Sequence, residues 1–292
     1  MKLGVVYPQT ELKGDPKAFR RIGLAAEELG YDHFLIYDHV VGAVHEGRDP
    51  PLMAGGYTEK DPFHEPFVAL SYLAAISQKI ELVTGIVILP QRQTVLAAKQ
   101  AADLDLLSDG RLRLGVGLGW NHVEYDALGM DFRTRGRKLD EQIPFLRRLW
   151  NEDAVSFQGQ FDRIDRANLI PRPNRTIPIW CGGFTEPAYR RAARLADGFM
   201  FALGFEDSSL AAWSQIREMV RQEGRAPESF GGQFNLQSWT GEIPDYAKIV
   251  GQLHKLQDAG ATHAAVVSLG RGFKQTQEHL DFFAEVKRRA GV

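Results

Sequence analysis

A turn with two glycines and a hydroxyl follows a short apolar stretch in the second half of the chain. The turn reads Cys181-Gly182-Gly183-Phe184-Thr185, and a helical pattern begins directly after it. Free backbone N–H groups, a positive helix end and a threonine hydroxyl can together bind an anion such as a phosphate. The alternative is a plain strand-to-helix turn in which Thr185 caps the helix. The turn alone does not decide between these two interpretations.

Other motifs of enzyme chemistry are missing from the sequence. The eight histidines are scattered, and neither a His-x-x-x-His pair nor a carboxylate triad provides a set of metal ligands. The sequence also has no Gly-x-Ser-x-Gly nucleophile turn and no Walker loop. We therefore expect no metal site, and we expect the difficult chemistry to belong to an organic cofactor.

Eight strand-like stretches alternate with helical patterns along the chain. Most of them are continuous apolar runs, as expected of strands that are buried on both faces. They cover Leu3–Pro8, His33–Asp38, Ile80–Leu89, Arg111–Gly119, Ile177–Gly183, Gly198–Leu203, Gly232–Trp239 and Ala264–Gly270. Eight strands, each followed by a helix, predict an α/β fold, the (β/α)8 TIM barrel, with residues 1–292 as a single domain.

Three segments are longer than a barrel requires. They follow strand 2 (His39–Pro62), strand 4 (Asn121–Thr134) and helix 4 (Glu152–Thr176). The third segment contains a pattern typical of a hairpin that turns at Gln158–Gly159. Long connections in a compact barrel are usually functional or mobile, so we expect part of the site among them.

The composition favours an ordinary globular protein of the cytoplasm. Of 292 residues, 44% are apolar and 25% charged, and the net charge of −2 gives no general attraction to nucleic acid or to a membrane surface. A single cysteine excludes an internal disulfide and suits a reducing compartment. The N-terminal stretch reads as a strand rather than a signal peptide, and no apolar run approaches the roughly 20 residues that span a bilayer.

A barrel enzyme carries its active site at the carboxyl ends of the strands. We therefore expect the site among the residues that end each predicted strand. These are Asp38, His39, Gly85, Ile86, Gln91, Arg92, Gly119, Trp120, Asn121, the turn Gly182–Thr185, Trp239 and Arg271. The set is aromatic, polar and rich in glycine, which suits a flat organic ligand that approaches the backbone closely.

At these residues the chain resembles the luciferase-like monooxygenase superfamily, especially its probable coenzyme F420-dependent oxidoreductases. The matching stretches are "AAEELGYDHFLIYDHV", "LVTGIVILPQRQTVLAAKQAADLDLLSDGRLRLGVGLGWNHVEYDALGMDF", "RGRKLDEQIPFLRRLW" and "IPIWCGGFTEPAYRRAARLADGF". They extend over most of residues 1–205, whereas the last third matches by pattern only. The resemblance implies a barrel that binds a flavin or deazaflavin.

The resemblance implies where the cofactor lies. Its ring would cross the barrel mouth, backed by a bulge with a non-prolyl cis peptide bond between Gly85 and Ile86. Gly117 and Gly119 would leave room for the edge of the ring. The alternatives are a trans bond in a simple strand, and small residues that only narrow the barrel interior. The family's phosphate-binding turn matches the residues Gly182, Gly183, Phe184 and Thr185.

The resemblance also implies roles for the pair that ends strand 2. Asp38 would exchange a hydrogen bond with the ring, and His39 would donate or accept a proton near neutral pH. The alternative is structural: Asp38 caps a loop, and His39 is a hydrogen-bonded framework residue. Further candidates for the cofactor or substrate pocket are Tyr7, Trp120, Glu124, Tyr125, Trp239 and Arg271. Packing is the alternative for Trp120, Glu124 and Tyr125, whereas Trp239 and Arg271 are named from their positions at strand ends.

These expectations define a function with two alternatives. The first interpretation is an F420-dependent oxidoreductase that transfers a hydride to or from a small organic substrate. The second is a monooxygenase that uses oxygen and reduced FMN, in which a separate reductase supplies the reduced FMN. The third is a barrel that binds a cofactor or ligand without turnover. The resemblance further implies a homodimer.

Overall fold

The computed structural model describes residues 1–202, 207–236 and 244–291. Eleven strands lie in these ranges: β1 (Lys2–Val6), β2 (His33–Ile36), β3 (Glu81–Thr84), β4 (Val87–Ile88), β5 (Leu112–Gly117), β6 (Val155–Gln158), β7 (Arg163–Ala167), β8 (Ile179–Gly182), β9 (Gly198–Phe201), β10 (Gly231–Leu236) and β11 (His263–Val267). The α-helices of the same ranges are α1 (Pro16–Glu28), α2 (Pro66–Ile76), α3 (Thr94–Leu107), α4 (His122–Ala127), α5 (Arg135–Asn151), α6 (Glu186–Leu195), α7 (Asp207–Gln222), α8 (Tyr246–Asp258) and α9 (Thr276–Ala290).

The strands close into the predicted barrel. All of them except β6 and β7 form one parallel sheet, in the order β3-β2-β1-β11-β10-β9-β8-β5-β4. A further pairing of β3 with β5 closes the ring. Because β3 and β4 are two parts of one interrupted strand, the nine segments occupy eight barrel positions. The remaining two strands, β6 and β7, form an antiparallel hairpin.

The sequence predicted most of these elements correctly. Each predicted strand overlaps an observed one, although the ends of the sixth and seventh, at Leu203 and Trp239, lie outside the described residues. The predicted hairpin is confirmed, with its connection at residues 159–162. The segment Asn121–Thr134 after the fourth predicted strand contains α4, which Asn121 caps through its side chain.

The core has two layers, as a barrel requires. Side chains that point outward from the strands pack under the helices, and Phe34 and Val5 are examples. A smaller cluster fills the interior: Val6, Leu35, Val83, Trp180, Met200, Ala265 and Val267. The interior therefore holds side chains rather than a pore, and a ligand must bind above it, at the mouth.

A buried polar group occupies the amino-terminal part of the barrel interior. Arg113 donates to Gln233 Oε1 at 2.7 Å and to Glu81 Oε2 at 3.1 Å, and its guanidinium lies 4.4 Å from the Trp180 ring centroid. These contacts compensate a charge that would otherwise be costly to bury. The cluster lies at the end of the barrel opposite the mouth, so it supports the fold rather than the site.

Candidate active site at the barrel mouth

Asp38 joins the end of β2 to the end of the interrupted third strand. Its carboxylate accepts hydrogen bonds from the backbone N–H of Ile88 at 2.8 Å and from Arg92 Nη1 at 2.7 Å and Nη2 at 2.9 Å. The Asp38 side chain is 1% exposed. These bonds favour the structural interpretation of Asp38, and its contact with a cofactor ring stays a prediction.

His39 lies in an aromatic cluster built mainly by the β2–α2 segment, which is the connection of residues 37–65. Its ring centroid is 3.6 Å from that of Tyr57, with an interplanar angle of 30°. Phe63 meets it edge-on at 4.8 Å, and Trp120 lies 6.3 Å away. The packing fixes the plane of the imidazole at the exit of β2, where a barrel enzyme needs an acid or base.

Glu124 is the central acceptor of this region. Its carboxylate is fully buried and receives the backbone N–H groups of Val40 and Val41. Further donors are Gln91 Nε2 at 3.0 Å and the Tyr57 hydroxyl at 3.2 Å, while His39 Nδ1 lies at 3.4 Å. Glu124 thus fastens the β2–α2 segment, and its place in a substrate pocket stays a prediction.

The electrostatics of Glu124 follow from this environment. Burial raises the pKa of the Glu124 carboxyl, but hydrogen bonds from His39, Gln91 and Val40 outweigh burial, so the pKa lies below its ordinary value. The carboxyl is therefore ionised near neutral pH and acts only as an acceptor. Burial and the adjacent carboxylate raise the pKa of the Tyr57 hydroxyl, which stays protonated and donates.

The third strand is interrupted where the sequence predicted. The peptide bond between Gly85 and Ile86 is cis, which confirms that expectation. The space above Gly117 is filled within the protein itself, because a Cβ there would lie 2.7 Å from Ile86 Cδ1. Gly119 likewise accommodates the side chain of Ile88, at 2.8 Å. The small-residue interpretation of both glycines is thus supported, and their contact with a ring stays a prediction.

The turn from β8 to α6 leaves polar groups exposed. Thr185 occupies the N-cap position of α6, is exposed, and makes no side-chain capping bond. Its hydroxyl therefore does not cap the helix, whereas the alternative interpretation of the turn requires such a cap. Gly183 has φ +154°, and a Cβ there would lie 2.6 Å from Ala188 Cβ. The side chain of Phe184 is 60% exposed. The binding of an anion at this turn stays a prediction.

Three predicted pocket residues are held by packing contacts. Tyr7 is fully buried between β1 and α1, with its ring 4.9 Å from that of Phe19. Tyr125 is fully buried and donates to the carbonyl oxygen of Leu118 at 2.6 Å. Arg271 packs over Phe282 of α9 at 4.3 Å. These contacts favour packing roles for all three, and Trp239 lies outside the described residues.

Trp120 follows β5 and contacts rings of the β2–α2 segment. Its ring lies 5.0 Å from that of Tyr57 and 6.2 Å from that of His45. The predicted site did not include Tyr57 or Phe63. Their aromatic character within the long Gly- and Pro-containing segment after strand 2 was the signal that could have identified them.

Two further findings concern the described ranges as a whole. Among residues 1–202, 207–236 and 244–291, no cluster of three or more His, Cys, Asp or Glu side chains could hold a metal ion. A search of the same ranges finds no helix with the length and apolarity that a membrane span demands.

Comparison with known proteins assigns the family. Residues 1–236 match the family model described as luciferase-like monooxygenase. The chain therefore belongs to the luciferase-like monooxygenase family.

Among its relatives, an uncharacterized protein of Mycobacterium tuberculosis, Rv0940c, is 30% identical over 83% of this chain and 82% of its own length. The F420-dependent glucose-6-phosphate dehydrogenase of Nakamurella multipartita is 29% identical over 72% of this chain and 60% of its own length. The crystal structure of monooxygenase RslO1 from Streptomyces bottropensis superposes with a TM-score of 0.79 at 19% identity, covering 100% of both chains. The proteins similar to this chain thus include one whose name states dependence on F420 and one described as a monooxygenase.

Proposed function

We propose that this protein is an oxidoreductase that uses coenzyme F420 to transfer a hydride to or from a small organic substrate. The observation that carries the proposal is the position of His39. It follows β2 at the barrel mouth, and its Nδ1 faces the buried carboxylate of Glu124 at 3.4 Å. An imidazole held beside a carboxylate can serve as a general acid or base. The F420-dependent relative supports the choice of cofactor.

The residues at the mouth fit such a cofactor. The exposed hydroxyl of Thr185 and the backbone of Gly182, Gly183 and Phe184 would hold a phosphate at the start of α6. Ile86, behind the mouth, and Trp120, at its rim, would contact the ring. When bound, F420 supplies a ring carbon that accepts or donates a hydride.

The protein's own residues would position and protect the reacting groups. His39 would hold or move the proton that accompanies hydride transfer. The rings of Tyr57, Phe63 and Trp120, which the β2–α2 segment brings together, would exclude water from the mouth. Asp38, fastened by Arg92, would keep β2 and the third strand in register.

A second candidate keeps the fold and changes the cofactor. With reduced FMN the protein would be a monooxygenase that consumes oxygen and depends on a separate reductase. The similarity to a solved monooxygenase favours this candidate at the level of the fold. A hydride-transferring F420 enzyme works without oxygen, so turnover under anaerobic conditions separates the two functions.

The assembly and location belong to the same proposal. We infer one domain, in the cytoplasm, with a small-molecule substrate and neither nucleic acid nor a membrane as partner. Apolar side chains of α2 and α3 are exposed together, which suits a homodimer face: Val68, Tyr72, Val95 and Leu96. The substitution Leu96→Glu is expected to convert a dimer into monomers in analytical ultracentrifugation. A wild-type monomer would contradict this part of the proposal.

The experiment that tests the proposed role of His39 compares two histidines of one segment. His39→Asn is expected to lower kcat by about 100-fold or more, as for loss of a general acid or base, with little change in the Kd of F420. His45→Asn is the matched control, because His45 lies in the same segment and bonds only the Tyr57 carbonyl within the described residues. If His39→Asn lowers only the stability, His39 is structural.

A further inference from the structure

We propose that Glu124 is the positioning residue of His39. Its Oε2 oxygen accepts the proton on Nδ1, which leaves Nε2 as the ring nitrogen that exchanges a proton with the substrate. The catalytic part of this inference rests on the proposed function. The pairing of the two side chains does not, and it can be tested without any cofactor.

The backbone places Glu124 where it can reach His39. Asn121 caps α4 by accepting from the N–H groups of Val123 at 3.1 Å and Glu124 at 3.4 Å. Glu124 therefore lies in the first turn of α4, where the helix dipole favours a negative charge. The Asn121 amide also donates to the Tyr57 hydroxyl at 2.8 Å, which orients the hydroxyl towards the carboxylate.

The hydrogen bonds around Glu124 determine which ring nitrogen carries the proton. Oε2 receives Gln91 Nε2 at 3.0 Å and the Tyr57 hydroxyl at 3.2 Å, both of which donate. An ionised carboxylate has no proton to give, so a neutral His39 can bond to it only by donating from Nδ1. The neutral imidazole then has a bare Nε2.

Packing holds the ring in this orientation. Tyr57 covers one face of the imidazole at a centroid distance of 3.6 Å, and Phe63 meets it at an interplanar angle of 83°. The His39 side chain is 15% exposed. Within the described part of the chain, its Nε2 has no hydrogen-bond partner, so this nitrogen is the one available to a ligand.

The proton step follows from this arrangement. In the oxidation of a hydroxyl-bearing substrate, oxidised F420 held at the mouth would accept the hydrogen of the C–H bond with its electron pair, as a hydride. The O–H bond loses its proton to Nε2, and the substrate becomes a carbonyl compound. The Glu124 carboxylate then stabilises the positive charge of the His39 imidazolium. In the reverse reaction, Nε2 returns the proton to the substrate.

The first test is NMR of the imidazole nitrogens in the cofactor-free protein. Histidine labelled with ¹⁵N gives separate signals for Nδ1 and Nε2, and His39→Asn assigns those of His39. At a pH where the His39 ring carries one proton, we expect that proton on Nδ1. A proton on Nε2 would overturn the proposal, and this measurement on the wild-type protein needs no variant to fold.

A pair of variants tests whether Glu124 is the cause. Glu124→Gln keeps the size of the side chain. Its amide oxygen can still accept from the N–H groups of Val40 and Val41, and its NH2 group then faces Nδ1 as a donor. Gln91 Oε1, which has no partner, can turn to accept from the new amide. We expect the proton to move to Nε2 in this variant. Tyr57→Phe, which keeps the stacked ring, is expected to leave it on Nδ1.

Either opposite result would contradict the inference: an unchanged tautomer in Glu124→Gln, or a changed one in Tyr57→Phe. Kinetics add the link to catalysis, since Glu124→Gln should lower kcat at least about tenfold while the Kd of F420 stays the same. If F420 does not bind the wild-type protein, the proposed function fails, whereas the NMR result still decides the pairing.

Discussion

Arg92 holds Asp38 through two parallel hydrogen bonds, from Nη1 to Oδ2 at 2.7 Å and from Nη2 to Oδ1 at 2.9 Å. A fork of this kind is among the stronger charged contacts in proteins. Because the Ile88 N–H shares the same carboxylate, the pair joins β2 to the interrupted third strand directly beneath the mouth. The geometry of the site therefore depends on a contact between residues that the sequence placed only as two separate strand ends.

Breaking this pair should be costly. Asp38→Asn removes the charge opposite a guanidinium that is 13% exposed, and removing one partner of a buried pair typically costs about 3–5 kcal/mol. We expect denaturant unfolding to show that the free energy of unfolding falls by an amount near the lower end of that range. The asparagine amide of Asp38→Asn can still accept one hydrogen bond.

Glu65→Gln is the matched control for the same guanidinium. Glu65 also contacts Arg92, at 3.2 Å, but its side chain is 36% exposed, so solvent screens the interaction. The amide oxygen can still accept the capping bond from the Val68 N–H. Glu65→Gln should therefore lower the free energy of unfolding by less than about 1 kcal/mol. Equal effects of the two substitutions would contradict the importance of the Asp38–Arg92 pair.

The turn before α6 should determine cofactor affinity. Gly183→Val places a branched side chain where a Cβ already meets Ala188 at 2.6 Å, so the turn must move. We expect the Kd of F420 to rise at least about tenfold, which corresponds to about 1.4 kcal/mol. Thr185→Val, which removes only a hydroxyl that caps nothing, should weaken binding in the same direction without loss of stability.

Gly224→Val is the control for this prediction, because Gly224 has φ +71° and open space around it. Gly224→Val places a side chain at a positive φ, as Gly183→Val does, but at a position away from the mouth. Unchanged F420 affinity in both Gly183→Val and Thr185→Val would show that the phosphate lies elsewhere.

Three histidines should make the fold sensitive to acid. Burial, with Arg113 nearby, lowers the pKa of His33 well below its usual 6.5 and that of His263 to about 2, and burial lowers the pKa of His279 to about 4. All three rings are neutral in the folded protein at pH 5 and above, while the unfolded chain binds protons below pH 6.5. Stability is therefore complete above pH 6.5 and falls below it, by up to about 1.4 kcal/mol per pH unit for each ring.

Urea unfolding between pH 8 and pH 5 measures this dependence. His263→Gln should reduce the slope, since it removes one of the three groups. His254→Gln, at an exposed position of α8, should leave the slope unchanged. A wild-type stability that does not change from pH 6.5 to pH 5 would contradict the lowered pKa values of the three rings.

The sequence could predict the barrel because its elements repeat at two clear periods. It could not predict which residues face inward, since the strands are apolar on both sides and carry no alternation. Tyr7 is an instance: Val6 fills the barrel interior, so its neighbour Tyr7 must point out under α1, away from the interior.

The predicted site was limited for a different reason. Glu124 contacts His39 across 85 positions of sequence, and no local pattern records such a contact. The β2–α2 segment, which supplies Tyr57 and Phe63, has no periodicity from which its path could be read. Positions at strand ends, such as Asp38 and Trp120, could be predicted because the topology alone places them at the mouth.

The most direct test of the account is a titration of the cofactor-free protein with F420 and, separately, with FMN, each oxidised and reduced. Tryptophan fluorescence is a suitable signal, since Trp120 lies at the mouth, and Trp120→Phe shows how much of it arises there. We predict that F420 binds with micromolar or tighter affinity and that FMN does not. Binding of FMN alone, or of neither compound, would contradict the proposed function.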